Sequence, residues 1–133
     1  MEEYKLDDQS FTWLSSSHPI SDIRDWKSAN HLELRPDFQR NDVWSDAARV
    51  MLIDSILRNI PMPKVFLTAR IVDKGTFRSV IDGQQRLKTI LDFLGDGFEL
   101  KSPYNGSYVG MTYSALPQVI QDEILQYKIV GAQ

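Results

Sequence analysis

Five consecutive residues, Asp82-Gly83-Gln84-Gln85-Arg86, carry the side chains best suited to chemistry in this sequence. They follow a β-branched pair, Val80-Ile81, and precede Leu87, Ile90, Leu91 and Leu94, which recur at helical spacing. The pattern predicts a strand from Phe77 to Ile81, a turn at Asp82-Gly83 and a helix from Gln84 to Leu94. A junction of that kind suits an anion. The first N–H groups of a helix have no intrahelical acceptor, and the helix dipole adds positive potential there. Gly83 lets the backbone turn or a ligand approach closely. Arg86 offers a planar fork of donors matched to phosphate oxygens. Gln84 and Gln85 donate and accept, so they can orient a water or hold a ribose or base edge. Asp82 can hold Mg²⁺, accept a proton or cap the helix. The same residues also admit a structural reading. Asp82 is then a cap or an i, i+4 partner of Arg86, with Arg40 bracing the pair.

The elements that must position these residues read as follows. Lys64 to Ile71, a turn at Val72 to Gly75, and Thr76 to Ile81 form a β-hairpin that feeds directly into the motif. Ser45 caps a helix from Asp46 to about Asn59, whose apolar stripe is Val50, Met51, Ile53, Ile56, Leu57 and Ile60. Ahead of it, Phe38 and Trp44 flank Gln39 and Arg40, so two aromatic anchors would hold two polar side chains in a loop. Ser21 caps a shorter helix from Asp22 to Asn30, with Ile23, Trp26 and Ala29 facing inward, and His31 to Leu34 is a short strand. After the motif helix, Gly95-Asp96-Gly97 reads as a C-cap. Phe98-Glu99-Leu100 is short and extended, Ser102 to Gly110 is turn-rich, and Pro117 opens a last helix through Gln126. Tyr127 to Val130 starts a final strand. Residues 1–19 read as an N-terminal extension in which Ser15-Ser16-Ser17 is a linker, and residues 20–133 as one domain.

Bulk properties narrow the classes. A chain of 133 residues is long enough for one domain with a core. It has no cysteine, which excludes disulfides and thiolate chemistry, and two histidines, too few for a histidine-based zinc site without carboxylates. No apolar run reaches membrane-span length, and Met1-Glu2-Glu3-Tyr4-Lys5 lacks a signal-peptide pattern, so the expected compartment is the cytoplasm. The net charge of −3 argues against nucleic-acid binding by bulk electrostatics. Between Arg35 and Lys88, however, ten Lys and Arg face six Asp and Glu, so basic charge gathers around the motif.

Three ordered motifs carry a family resemblance. They are Pro36-x-Phe38-Gln39-Arg40-x-x-x-Trp44, then Ile53-Asp54-Ser55-Ile56-Leu57-x-x-x-Pro61-x-Pro63, then Ile81-Asp82-Gly83-Gln84-Gln85-Arg86-Leu87-x-Thr89-Ile90. Together they resemble the N-terminal domain of the GmrSD-type modification-dependent restriction proteins, within the ParB/sulfiredoxin-like superfamily. The resemblance covers roughly Ile20 to Val130. It implies an α+β fold, a small mixed sheet with packed helices. It implies a nucleoside triphosphate, with Mg²⁺, at the strand–helix junction, and hydrolysis coupled to restriction of modified foreign DNA, often phage DNA. On that reading Asp82, Gln84, Gln85 and Arg86 are catalytic and Asp82 is the metal ligand. Gln39, Arg40, Gly83 and Lys88 contact the nucleotide. The implied partners are nucleotide, DNA through the full-length protein, and a C-terminal or separate nuclease domain; no membrane is implied. Family members normally continue past this point, so the domain is expected to be truncated at its C-terminal end, and no nuclease motif lies in this chain. The competing expectation is a non-catalytic module that binds DNA or senses its modification through the same Arg and Gln side chains.

Overall fold

The computed structural model describes residues 15–34, 44–73, 75–104 and 106–132. Its strands are β1 (Ser15–Pro19), β2 (Leu32–Leu34), β3 (Val65–Val72), β4 (Gly75–Asp82) and β5 (Lys128–Ala132). Its α-helices are α1 (Ile20–Ser28), α2 (Asp46–Leu57), α3 (Gln84–Leu94) and α4 (Gln118–Gln126). The five strands form one mixed sheet in the order β1-β5-β3-β4-β2. β3 and β4 are the expected hairpin; β1 runs antiparallel to β5, while β3–β5 and β2–β4 are parallel pairs. The architecture is thus the small α+β fold expected.

The ladder registers explain the core. Leu67 lies opposite Val80, and Val80 opposite Leu34, so these side chains share one face of the sheet. Val80, Leu67 and Leu32 join Ile20 and Ile23 of α1, Ile53 and Ile56 of α2, Leu87, Ile90 and Phe93 of α3, and Ile124 of α4 in a single cluster. The apolar residues of α3 recur at three and four positions, which turns Leu87, Ile90 and Phe93 inward and leaves Lys88 outside.

Several expectations need correction. Ser15, Ser16 and Ser17 are the first half of β1, not a linker: the ladder to Ala132, Gly131 and Val130 supplies the hydrogen bonds that their side chains do not advertise. The first helix begins at Ile20, after Pro19, and Ser21 lies inside it. Ile20 is fully buried and donates its N–H to the Tyr127 carbonyl (2.9 Å), so the chain turns helical as soon as β1 ends. Ala29 is exposed at the C-terminal end of α1. On α2, Ser45 does accept from the Ala48 N–H (3.1 Å), but Met51 and the downstream Ile60 are about half exposed and Leu52 takes the core position. Phe98-Glu99-Leu100 joins no strand; instead Leu100 exchanges two backbone hydrogen bonds, with Met111 (2.9 Å) and Gly110 (2.7 Å), and closes the loop between them. Pro117 precedes the last helix as its N-cap. The final strand extends to Ala132 and lies inside the sheet.

Candidate functional site

The motif sits where β4 hands over to α3. β4 ends at Asp82, Gly83 is the N-cap residue, and α3 begins at Gln84. Gly83 is held at φ 103°, in the left-handed region, and is buried. A Cβ there would stand 3.1 Å from Val65 Cγ2 and 3.1 Å from Arg86 Nη2. Glycine is therefore required twice, by conformation and by space. Because Gly83 has no side chain, the N-cap residue itself offers no oxygen to this helix start.

Arg86 occupies the first turn of α3. One guanidinium nitrogen, Nη2, donates to the Lys64 carbonyl at 3.0 Å. Its Nε is buried and has no acceptor among the described residues. Among those residues no carboxylate pairs with Arg86, and Asp82, exposed at the end of β4, pairs with no cation. The Asp82–Arg86 pair of the structural reading is thus not formed. Among the described residues the cation is aimed by a neutral carbonyl and meets no opposite charge, as an anion ligand needs.

The other predicted residues divide. Gln84 is 4% exposed, and its amide nitrogen donates to the Val80 carbonyl at 3.2 Å. It braces the strand end from inside. Gln85 is half-buried at the next position, on the other side of the helix start. Lys88 is exposed and lies 3.7 Å from Asp92, one turn further along α3. Gln39 and Arg40, with Phe38, lie outside the described residues; Trp44 is half-buried against the core. The structure therefore joins Asp82, Gly83, Gln85 and Arg86 around one helix start, with Gln84 beneath and Lys88 behind.

Sequence reasoning missed Lys64. Its carbonyl fixes Arg86, and its ammonium donates to Ser15 Oγ at 3.0 Å, which ties β1 to the junction. The only available signal was its place at the mouth of β3, directly after Pro61-Met62-Pro63. Across the sheet, Ala132 of β5, Phe66 of β3 and Asp82 of β4 stand in one row, so three strands meet beside the site.

Among the described residues no group of three His, Cys, Asp or Glu gathers as a metal site. Mg²⁺ is commonly held by one or two carboxylates together with substrate phosphates, so it needs no such group. Asp82 is such a carboxylate. Two surface cavities, of about 420 Å³ beside Asp46, Phe98 and Lys101 and about 320 Å³ beside Leu57, Glu123 and Tyr127, contain none of residues 82–86. No helix among the described residues is long and apolar enough to cross a membrane.

The fold and junction define a class: a small α+β domain whose first turn after a left-handed glycine N-cap carries an arginine. The family model of the GmrSD restriction endonuclease, N-terminal domain, matches residues 21–129, and the chain belongs to that family. No curated protein and no solved structure matched the chain. The match spans every helix but the first residue of α1, and every strand but β1 and the last three residues of β5.

Proposed function

We propose that this domain binds and hydrolyses a nucleoside triphosphate at the start of α3, and so regulates restriction of phage DNA by the protein to which it belongs. The observation that carries the reading is Arg86. Its guanidinium is held at 3.0 Å by the Lys64 carbonyl, beside a left-handed glycine N-cap at a helix N-terminus, with no described carboxylate neutralising it. A polyphosphate meets positive potential from the helix and a rigid cation together.

The roles follow from placement. Arg86 takes a β- or γ-phosphate oxygen and offsets charge that grows in the transition state. Gln85, half-buried on the flank of the helix start, orients the attacking water. Asp82, exposed and without a cation partner among the described residues, takes Mg²⁺ jointly with the phosphates. Water adds to the γ-phosphorus, the β–γ bridging bond breaks, and a diphosphate and inorganic phosphate leave. Gln39, Arg40 and Lys88 add contacts to the nucleotide. DNA and a nuclease domain are the partners through which hydrolysis is read out, in the cytoplasm.

Titration of fluorescent nucleoside triphosphates with Mg²⁺ tests this. Wild type binds, and Arg86→Ala binds about 100-fold more weakly, the loss of about 2.7 kcal/mol typical of one such donor. Equal binding by the two proteins removes Arg86 from the site. Duplex binding that falls steeply with salt and ignores nucleotide points instead to a non-catalytic DNA module.

A further inference from the structure

Arg86 depends on a stretch of chain that belongs to no helix or strand. Ile60, Pro61, Met62, Pro63 and Lys64 run between α2 and β3, and the Lys64 carbonyl is the acceptor that aims the guanidinium, at 3.0 Å. Ile60, Pro61, Pro63 and Lys64 are exposed, and Met62 packs partly against the core. The two prolines make this connector stiff. Each fixes its own φ, and each disfavours helical backbone at the residue before it, here Ile60 and Met62. A displacement at one end is therefore passed along to the other, not absorbed on the way.

Tyr127 grips the near end. It is 6% exposed and stands at the step from α4 into β5. Its hydroxyl donates to the Ile60 carbonyl at 2.6 Å, and the Met62 backbone hydrogen-bonds to the same phenol. One side chain thus spans Pro61 and holds the residue on either side of it. Tyr127 is itself anchored at both backbone groups: its N–H donates to the Ile124 carbonyl (3.2 Å), and its carbonyl accepts from the Ile20 N–H (2.9 Å). Burial pushes the phenol above the ordinary tyrosine range, so the hydroxyl keeps its proton and remains a donor at neutral pH. Any buried tyrosine needs a partner for its hydroxyl. This one takes its partner from the segment that ends at the Lys64 carbonyl.

We propose that Tyr127 is a positioning residue for the phosphate site: by holding Ile60 and Met62 it sets the Lys64 carbonyl, and through that carbonyl the guanidinium of Arg86. The effect on ligand binding rests on the nucleotide reading above; the effect on Arg86 does not. Lys64 acts here through its main chain, so no side-chain substitution at Lys64 removes the link, and Tyr127 is where it can be cut.

Tyr127→Phe keeps the ring and removes only the hydroxyl. Without nucleotide, heteronuclear NMR follows the Arg86 Nε–H, which is buried in wild type. Tyr127→Phe should move that resonance and speed its hydrogen exchange about tenfold, as a local opening becomes easier. Pro63→Gly, which relaxes the connector and leaves Tyr127 in place, should act in the same direction. Ser114→Ala, which removes a hydroxyl bonded to Asp96 at the other end of α3, should do neither. With a fluorescent nucleoside triphosphate and Mg²⁺, Tyr127→Phe should weaken binding about fivefold in the wild-type background and less than about twofold when Arg86 is already alanine, the non-additivity of two residues acting through one contact. An Arg86 signal that Tyr127→Phe leaves unchanged overturns the proposal. So does an equal loss of affinity in both backgrounds, which is the mark of a general softening of the fold. If wild type and Arg86→Ala bind nucleotide equally, the reading of the site falls, and the exchange of the Arg86 Nε–H still decides whether Tyr127 holds it.

Discussion

The two ends of α3 solve the same problem in opposite ways. At the C-terminal end, Asp96 adopts φ 61°, and its carboxylate accepts from the Ser114 N–H (2.9 Å) and the Ser114 hydroxyl (2.7 Å). Those bonds hold its pKa below the ordinary aspartate value. Here a charged side chain answers a left-handed backbone and turns both its oxygens to Ser114. At the N-terminal end, Gly83 takes the left-handed conformation and brings no capping side chain of its own, and Arg86 is steadied by an uncharged carbonyl. One corner closes on itself; at the other, no opposite charge among the described residues meets Arg86 or Asp82. That difference separates a structural turn from the proposed binding site more clearly than composition does, since both corners are polar and glycine-bearing.

The contrast can be broken by substitution, most strongly at the open end. Arg86→Ala should abolish most nucleotide affinity, about 100- to 1000-fold by titration, because such donors are worth about 2.7–4 kcal/mol in a working site. It should lower unfolding free energy by only about 1 kcal/mol, the usual worth of one hydrogen bond. Gly83→Ala comes next. Positive φ costs a non-glycine residue about 1–3 kcal/mol, and the added Cβ presses on buried Val65, so urea denaturation should show a loss of at least that size. A Gly83→Ala protein as stable as wild type would remove the conformational half of the comparison.

At the closed end the effect is smaller and depends on pH. Ser114→Ala should lower the melting temperature at pH 7 and leave nucleotide binding untouched. The folded carboxyl of Asp96 is depressed, so its contribution is complete above the unfolded aspartate pKa and disappears as pH falls through the folded one. The gap between wild type and Ser114→Ala should therefore be constant from pH 6 to 8 and shrink below about pH 4. A gap that widens in acid would contradict this. The smallest effect belongs to Lys88→Ala. Its exposed i, i+4 contact with Asp92 is worth about 0.3–0.5 kcal/mol, so only a large fall in nucleotide affinity would place it among the ligand contacts.

What the sequence made readable follows from how local each signal is. The hairpin and α3 announce themselves within a few residues, through β-branched runs and helical spacing, and the structure has them close to where the sequence put them. The motif residues are contiguous, so their gathering at one helix start was readable too. β1 was not, because three serines have no apolar alternation and their strand depends on a partner near the other end of the chain. Met51 and Leu52 exchanged roles because a helix with apolar residues on several sides does not say which side faces the sheet. Lys64 reaches Arg86 through a main-chain oxygen, an atom every residue has, so no side-chain pattern could have named it. Nor does the amide of Gln84 declare from sequence that it turns inward to Val80 while Gln85 does not.

The interior position of β5 has a bearing on biosynthesis. β1 and β3 flank β5 in the sheet order, and Tyr127, just before it, clasps the Ile60 carbonyl with its hydroxyl (2.6 Å). During translation, an emerging polypeptide can complete the hairpin and α3 while the ribosome is still adding residues. β1 has to wait for its neighbour, because contacts between distant stretches form late. Until then the core beneath Ile129 stays wet. Formation of β1 should thus trail that of the hairpin and α3.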